Sequence, residues 1–261
     1  MLEFEAIKFE IANGIATINL NRPDAANAMN SILVRELARA TLICDNDESV
    51  KVVLLSATGR MFSAGGDLKA FSSFGDETSL RMKEMADELH KAVSLFARMK
   101  AVVITAVNGL AAGSGFSLSL AGDYVLAAES AKFTMAYTAA GLSPDGSSTY
   151  FVPRLIGMRK AQELMLTNRT LSAREACEWG LITRVVPDKD LKDVSMTLAR
   201  QFATGPAHAQ AVVKKLLLCS LGNGLEEQME IEGREIARAA ASENGREGLV
   251  AFLEKRKPDF T

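Results

Sequence analysis

Only two histidines, His90 and His208, occur in the 261 residues. That is too few imidazoles for a multi-histidine metal site, and no metal is expected. Cysteine is almost as scarce. Cys44, Cys177 and Cys219 are an odd number without metal-ligand spacing, so free buried thiols in a reducing compartment are expected. Neither sign of charge is in surplus: the formal net charge is −2, whereas a chain that grips nucleic-acid phosphates carries a basic excess. No apolar run approaches membrane-spanning length, and Met1-Leu2-Glu3 does not open a signal peptide. The expectation is a cytoplasmic protein with no nucleic-acid partner and no membrane association.

What is present is a large apolar fraction, 48% against 24% charged residues, enough for a sizeable core. The most informative stretch is Ala101–Asp123. Val102-Val103-Ile104-Thr105-Ala106-Val107 is β-branched and apolar, as in a strand buried on both faces. Asn108-Gly109 turns the chain. Gly113-Ser114-Gly115 follows and opens an apolar helical segment at Phe116. A strand that ends in a glycine turn and starts a helix leaves backbone N–H groups unpaired at the positive end of the helix dipole. Such a turn holds an anion or a developing oxyanion; alternatively, its glycines only let strand and helix pack closely.

A second turn of the same kind, Gly59 to Lys69, follows the buried strand Val52–Ser56. Ligands in open α/β sheets bind at this carboxyl edge. Gly66 and Ser114 are therefore the candidate converging donors. Neither turn has the Gly-Lys-Ser/Thr of a phosphate loop or the spacing of a dinucleotide fingerprint. Upstream, Asn13-Gly14 between two strand-like runs signals a hairpin, and Ser31 is the expected cap of a helix through Ile43. Residues 70–78 look loop-like. Ser79–Met99 has helical spacing, with Met82, Met85, Leu89, Val93 and Phe96 on one face and His90 beside it. The methionines either pack or form a soft pocket wall. Gly141 to Ser148 contains Pro144-Asp145-Gly146, so Asp145 is either a turn residue or a rigidly held base. Helical spacing dominates from Arg159 onward. Gly205-Pro206 marks a soft boundary between a core of residues 1–204 and a helical region of residues 205–261. That tail cannot bury its own apolar positions, so it must pack on the core or on another subunit.

Several segments, in order, resemble the crotonase, or enoyl-CoA hydratase/isomerase, superfamily. They include Asn21-Arg22-Pro23, Phe62-Ser63-Ala64-Gly65-Gly66-Asp67-Leu68, Val107-Asn108-Gly109 through Gly113-Ser114-Gly115, Pro153-Arg154-Leu155-Ile156-Gly157, and Phe252-Leu253-Glu254-Lys255-Arg256. The resemblance implies an α/β fold with a ββα spiral core and a helical C-terminal trimerisation region, assembled as a homotrimer or a hexamer of two trimers. It implies an acyl-CoA thioester substrate and no cofactor beyond the coenzyme A that the substrate carries. The Gly66 and Ser114 amides would hold the thioester oxygen as an enolate forms. Substrate contacts would come from Ala25, Ala64, Gly66, Asp67, Leu68, Lys69, Ser114 and Tyr137. Phe252 and Lys255 would reach a neighbouring subunit's coenzyme A.

Hydratases of this superfamily use two glutamates, and the matching positions here are Ser117 and Tyr137. Asp145 instead falls where several isomerases of the superfamily place an acid. The resemblance thus points to an enoyl-CoA isomerase in which Asp145 moves the proton. The alternatives are an aryl-CoA dehalogenase using Asp145 and His90, an atypical hydratase, and a non-catalytic acyl-CoA binder.

Overall fold

The computed structural model describes residues 3–260. β1 (Ile7–Ala12) and β2 (Ile15–Leu20) form the expected antiparallel hairpin. Its turn residues Asn13 and Gly14 both have positive φ, 52° and 76°, the conformation a tight two-residue hairpin needs. Next come α1 (Ser31–Asn46), β3 (Val52–Ala57), β4 (Met61–Ser63), the short α2 (Leu68–Phe71) and α3 (Thr78–Arg98). β5 (Val102–Val107), β6 (Leu110–Ala112), α4 (Ser114–Ser119), β7 (Tyr124–Ala128) and β8 (Lys132–Thr134) complete the first half. The remainder is α5 (Ser148–Ile156), α6 (Met158–Thr167), β9 (Leu171–Ser172), α7 (Ala173–Glu178), β10 (Arg184–Val186), α8 (Leu191–Ala203), α9 (Ala207–Cys219), α10 (Leu225–Ala241) and α11 (Glu243–Leu253).

The strands sort into two sheets, β1-β2-β3-β5-β7-β10 and β4-β6-β8-β9. From β2 onward the larger sheet is parallel. Each pass of the chain gives one strand to the large sheet, the next to the small sheet, and then a helix: β3-β4-α3, β5-β6-α4, β7-β8. This is the ββα spiral. β5 is central and buried at all six positions, which is why it contains no polar residue except Thr105.

Three local expectations are corrected. Asn30, not Ser31, caps α1: its Oδ1 accepts the Leu33 N–H at 3.0 Å, and Ser31 is already helical. Residues 70–78 are not simply loop; α2 and a 3-10 turn at Gly75–Glu77 occupy part of them. Of the cysteines only Cys44 is buried, with its thiol pushed up to about 12 chiefly by burial; Cys177 and Cys219 are half-buried, and all three are free. No helix among the described residues is long and apolar enough to cross a membrane.

α9 is fastened to the core by a charge. The Lys214 ammonium, nearly inaccessible, lies 2.7 Å from Asp123 Oδ2 and donates to the Ala101 carbonyl at 3.0 Å. Asp123 Oδ2 also accepts the Val103 N–H at 2.8 Å, at the start of β5. Burial pulls the Lys214 pKa down, and the Asp123 carboxylate opposes that pull. Removing one partner of such a pair strands the other. Lys214→Ala is expected to lower unfolding free energy by about 3 kcal/mol. The double variant Lys214→Met, Asp123→Asn should regain most of that loss in a denaturant titration.

Candidate active site

Two strand ends meet at the edge of the small sheet. The turn after β4 and the turn after β6 touch where neither has a side chain. A Cβ on Gly65, whose φ is +92°, would lie 2.7 Å from the Ala112 carbonyl oxygen. A Cβ on Gly115 would lie 2.6 Å from the Ser63 carbonyl oxygen. Both distances are impossible for a real side chain, so glycine at each position is what permits the contact. Asparagines stitch the frame. Asn27 Nδ2 donates to the Thr58 and Met61 carbonyls at 2.8 and 2.9 Å, and Asn108 Nδ2 donates to the Gly59 carbonyl at 2.7 Å.

The close approach brings the two candidate amides onto one cavity. Met29 bridges Gly66 in parallel: Met29 N–H donates to Gly65 O, and Asp67 N–H donates to Met29 O. That pattern uses the groups on either side of Gly66 and turns the Gly66 N–H away from Met29. Ser114 is the first residue of α4, where a helical N–H has no partner within the helix. Neither amide donates to an acceptor among the described residues. Gly66 and Ser114 both line a cavity of about 460 Å³. Its other walls come from α2, α3 and the segment around Ala136–Asp145. Met82 and Met85 both face it, so the methionines are pocket wall as well as packing.

Asp145 enters the same cavity from the opposite side. Its backbone is held by two hydroxyls: Ser117 Oγ and Ser148 Oγ each donate to the Asp145 carbonyl at 2.9 Å. Gly146 and Ser147 follow with φ of +60° and +70°. The tight left-handed turn presses Gly146 against Ser117. The carboxylate is oriented through Oδ1, which accepts the Tyr137 hydroxyl at 2.6 Å. The Tyr137 oxygen in turn lies 2.9 Å from Ser117 Oγ. Burial, and then the Asp145 charge, raise the Tyr137 pKa, so the phenol keeps its proton and serves as a donor. Among the described residues Asp145 Oδ2 carries no such donor; His90 Nε2 stands 3.6 Å away. Asp145 is the only carboxylate among the described residues lining this cavity.

The structure therefore gathers Ala64, Gly66, Leu68, Ser114, Tyr137 and Asp145 around one space, with Ser117 behind Tyr137 and His90 beside Asp145. Other expected contacts lie off it. The Asp67 carboxylate is engaged by Arg22 at 3.2 Å and caps Ala70 N–H at 3.1 Å. Lys69 is exposed, and Ala25 sits on a 3-10 turn whose next residue, Ala26, accepts the Ala64 N–H. Phe252, at the end of α11, is 82% exposed, and Lys255 follows it with φ of 55°. Arg22 was missed as a site-shaping residue; its ion pair with Asp67 fixes the turn bearing Gly66. A positive charge in Asn21-Arg22-Pro23, a segment noted only for its resemblance to the superfamily, was the available signal.

The family model described as enoyl-CoA hydratase/isomerase matches residues 10–261. The 1,2-epoxyphenylacetyl-CoA isomerase of Escherichia coli K12 is 38% identical, over 100% of this chain and 99% of that protein. The 4-chlorobenzoyl coenzyme A dehalogenase-2 of an Arthrobacter species is 34% identical, over 95% of this chain and 91% of that protein. Among solved structures, an enoyl-CoA hydratase from Polaromonas sp. JS666 superposes with a TM-score of 0.93 at 30% identity, covering 98% of this chain and 100% of that one.

The glycine contact can be tested apart from any chemistry. Gly115→Ala drives a methyl into Ser63 and should destabilise the protein by about 1–3 kcal/mol in thermal melts. Ser114→Ala is the contrasting case. The Ser114 hydroxyl is buried without a partner, and deleting it should leave the melting temperature unchanged or raise it.

Proposed function

The chain belongs to the enoyl-CoA hydratase/isomerase family, whose members transform acyl-CoA thioesters, and on that footing we propose that it shifts a carbon–carbon double bond within such a thioester. The observation that carries the reading is the pairing of two unengaged amides, Gly66 and Ser114, with a single carboxylate, Asp145, on one cavity. Asp145 takes a proton from the acyl chain, and the electrons move into the thioester as an enolate. The Gly66 and Ser114 N–H groups stabilise the enolate oxygen; one such donor is worth about 10²–10³ in rate. Asp145 returns the proton at another carbon. Adding water across a double bond calls for a second acid–base group, and Tyr137 and Ser117, being hydroxyls, do not supply one at neutral pH. The isomerase named among the relatives supports the same choice.

Tyr137 holds one carboxylate oxygen, so the other, Oδ2, is the oxygen assigned to the proton. Coenzyme A would run along Ala64–Lys69 and past Ala25. It is the substrate's own handle, and the chemistry needs no further cofactor. A homotrimer, or a hexamer of two, accounts for the apolar residues left uncovered on α10 and α11, among them Ile236, Phe252 and Leu253 at 71%, 82% and 79% exposure. In that assembly Phe252 and Lys255 would reach the neighbouring copy's coenzyme A. Sedimentation should give three or six copies, and a monomer at micromolar concentration would remove this part of the reading.

A dehalogenase is the second reading, favoured by the proximity of His90 to Asp145 and by the dehalogenase relative. One set of assays separates the two. With a 3-enoyl-CoA, wild type should yield the 2-enoyl isomer, and Asp145→Asn should lose about 10²–10⁴ in kcat with KM little changed. Halide release from 4-chlorobenzoyl-CoA without any double-bond shift would instead establish the dehalogenase.

A further inference from the structure

His90 touches Asp145, yet it faces a different space. The cavity that Asp145 lines does not include His90. His90 lines a second cavity of about 470 Å³ with Ser94, Arg98, Ser147, Tyr150 and Phe151. The two cavities share no lining residue. They approach each other at the contact between Asp145 Oδ2 and His90 Nε2, 3.6 Å apart.

The backbone supplies His90 with a hydrogen-bond donor. Gly146 N–H donates to His90 Nε2 at 3.2 Å, which requires a lone pair on that nitrogen and assigns the ring proton to Nδ1. His90 Nε2 is therefore an acceptor beside Asp145 Oδ2, its single lone pair shared with the Gly146 N–H. The opposite side of the carboxylate offers no exit. Tyr137 is buried and its raised pKa resists loss of the proton, and Ser117 behind it is almost fully buried. The His90 imidazole is a titratable group 3.6 Å from Oδ2, and nearly half of its side chain's surface is exposed.

We propose that His90 exchanges the proton carried by Asp145 with water in the second cavity. The inference rests on the reading of Asp145 as the base. After Asp145 has taken the acyl proton, the O–H bond at Oδ2 breaks and a new N–H bond forms at Nε2, displacing the Gly146 donor. The products are a carboxylate and an imidazolium. The imidazolium then gives its Nε2 proton, not the Nδ1 one, to water in the second cavity and takes a solvent proton back at the same nitrogen. The reverse sequence returns a solvent proton to Asp145. No net charge or electron is gained or lost, and the hydrogen delivered to the product is no longer the one removed. His90 acts through Asp145 and is a positioning residue for the proton, not a group that meets the substrate.

The test is the isotopic fate of that hydrogen. Wild type is run on trans-3-hexenoyl-CoA in D2O, and deuterium per molecule of shifted product is read by mass spectrometry. Two variants are compared. His90→Gln keeps an acceptor for Gly146 but cannot relay a proton, and Ser94→Phe fills the second cavity one helical turn away without touching Asp145. Most wild-type product should carry deuterium, and each variant should lower deuterium per product by about fivefold or more. Because the measure is per product, a general loss of rate does not move it. Undiluted hydrogen transfer in wild type, or unchanged incorporation in both variants, overturns the proposal. If wild type shifts no double bond, the isomerase reading falls separately. Deuterium wash-in at the α-carbon of phenylacetyl-CoA, which has no bond to shift, then decides the role of His90 on the same variants: slowed wash-in supports it, and wild-type rates or no wash-in at all overturn it.

Discussion

The structure depends on two places where a backbone approaches a backbone with no side chain between. Gly65 meets the Ala112 carbonyl and Gly115 meets the Ser63 carbonyl, so each turn supplies the glycine that lets the other approach. The consequence is positional. Two amides from separate ββα passes, Gly66 and Ser114, come to one cavity with no loop reaching across to carry them. Because they are main-chain groups in packed turns, their placement costs no side-chain entropy on binding, and they are already oriented before any charge develops. The large sheet is the foundation for this. β3 and β5 are neighbours in it, and the turn-bearing strands β4 and β6 are correspondingly neighbours in the small one.

The Asp145 carboxylate is held differently. Asp145 lies on a left-handed turn, fixed through its carbonyl by Ser117 and Ser148 and through its carboxylate by Tyr137. Every one of these partners is a neutral hydroxyl. They orient the carboxylate without adding a formal charge, and the one at the carboxylate is too weak an acid to surrender its proton. One half of the site is thus backbone, and the other is one carboxylate held by neutral donors.

Much of this was legible in the chain. The apolar run at Val102–Val107, the Asn13-Gly14 hairpin and the glycine turns after two buried strands carried the parallel sheet and the edge at which the site forms. The second sheet was not legible as a sheet, because β4, β6 and β8 have three residues each, too few for an alternating pattern to register. α5 was obscured by Pro153 inside it, a residue that ordinarily argues against a helix interior. The Asp145 turn looked the same whether structural or functional. The family resemblance, not the local pattern, singled it out, and its closeness to Tyr137 and His90 comes only from tertiary packing. The contact of His90 with Gly146 joins α3 to a turn far along the chain, and no local spacing encodes it. Lys214 was likewise silent: a lysine on a helix with apolar neighbours reads as a solvated side chain until Asp123 is seen beneath it.

The hydroxyls at positions 117 and 137 bear on which reaction the scaffold favours. Tyr137 is within 2.6 Å of the Asp145 carboxylate, and Ser117 is within 2.9 Å of Tyr137. A carboxylate in the place of the phenol would put two like charges at hydrogen-bonding distance, and one of the pair would hold a proton at neutral pH. Such a pair can act as acid and base at once, which is what adding water to a double bond requires. With hydroxyls there, the neighbours of Asp145 on this side are Tyr137 and Ser117 and not a second carboxylate. A lone anionic carboxylate can remove a proton and return one, but it cannot at the same moment protonate a carbon and activate a water. On the isomerase reading proposed above, hydration and isomerisation on this frame would differ in whether a second charge stands near the first, a place that the Tyr137 phenol fills here.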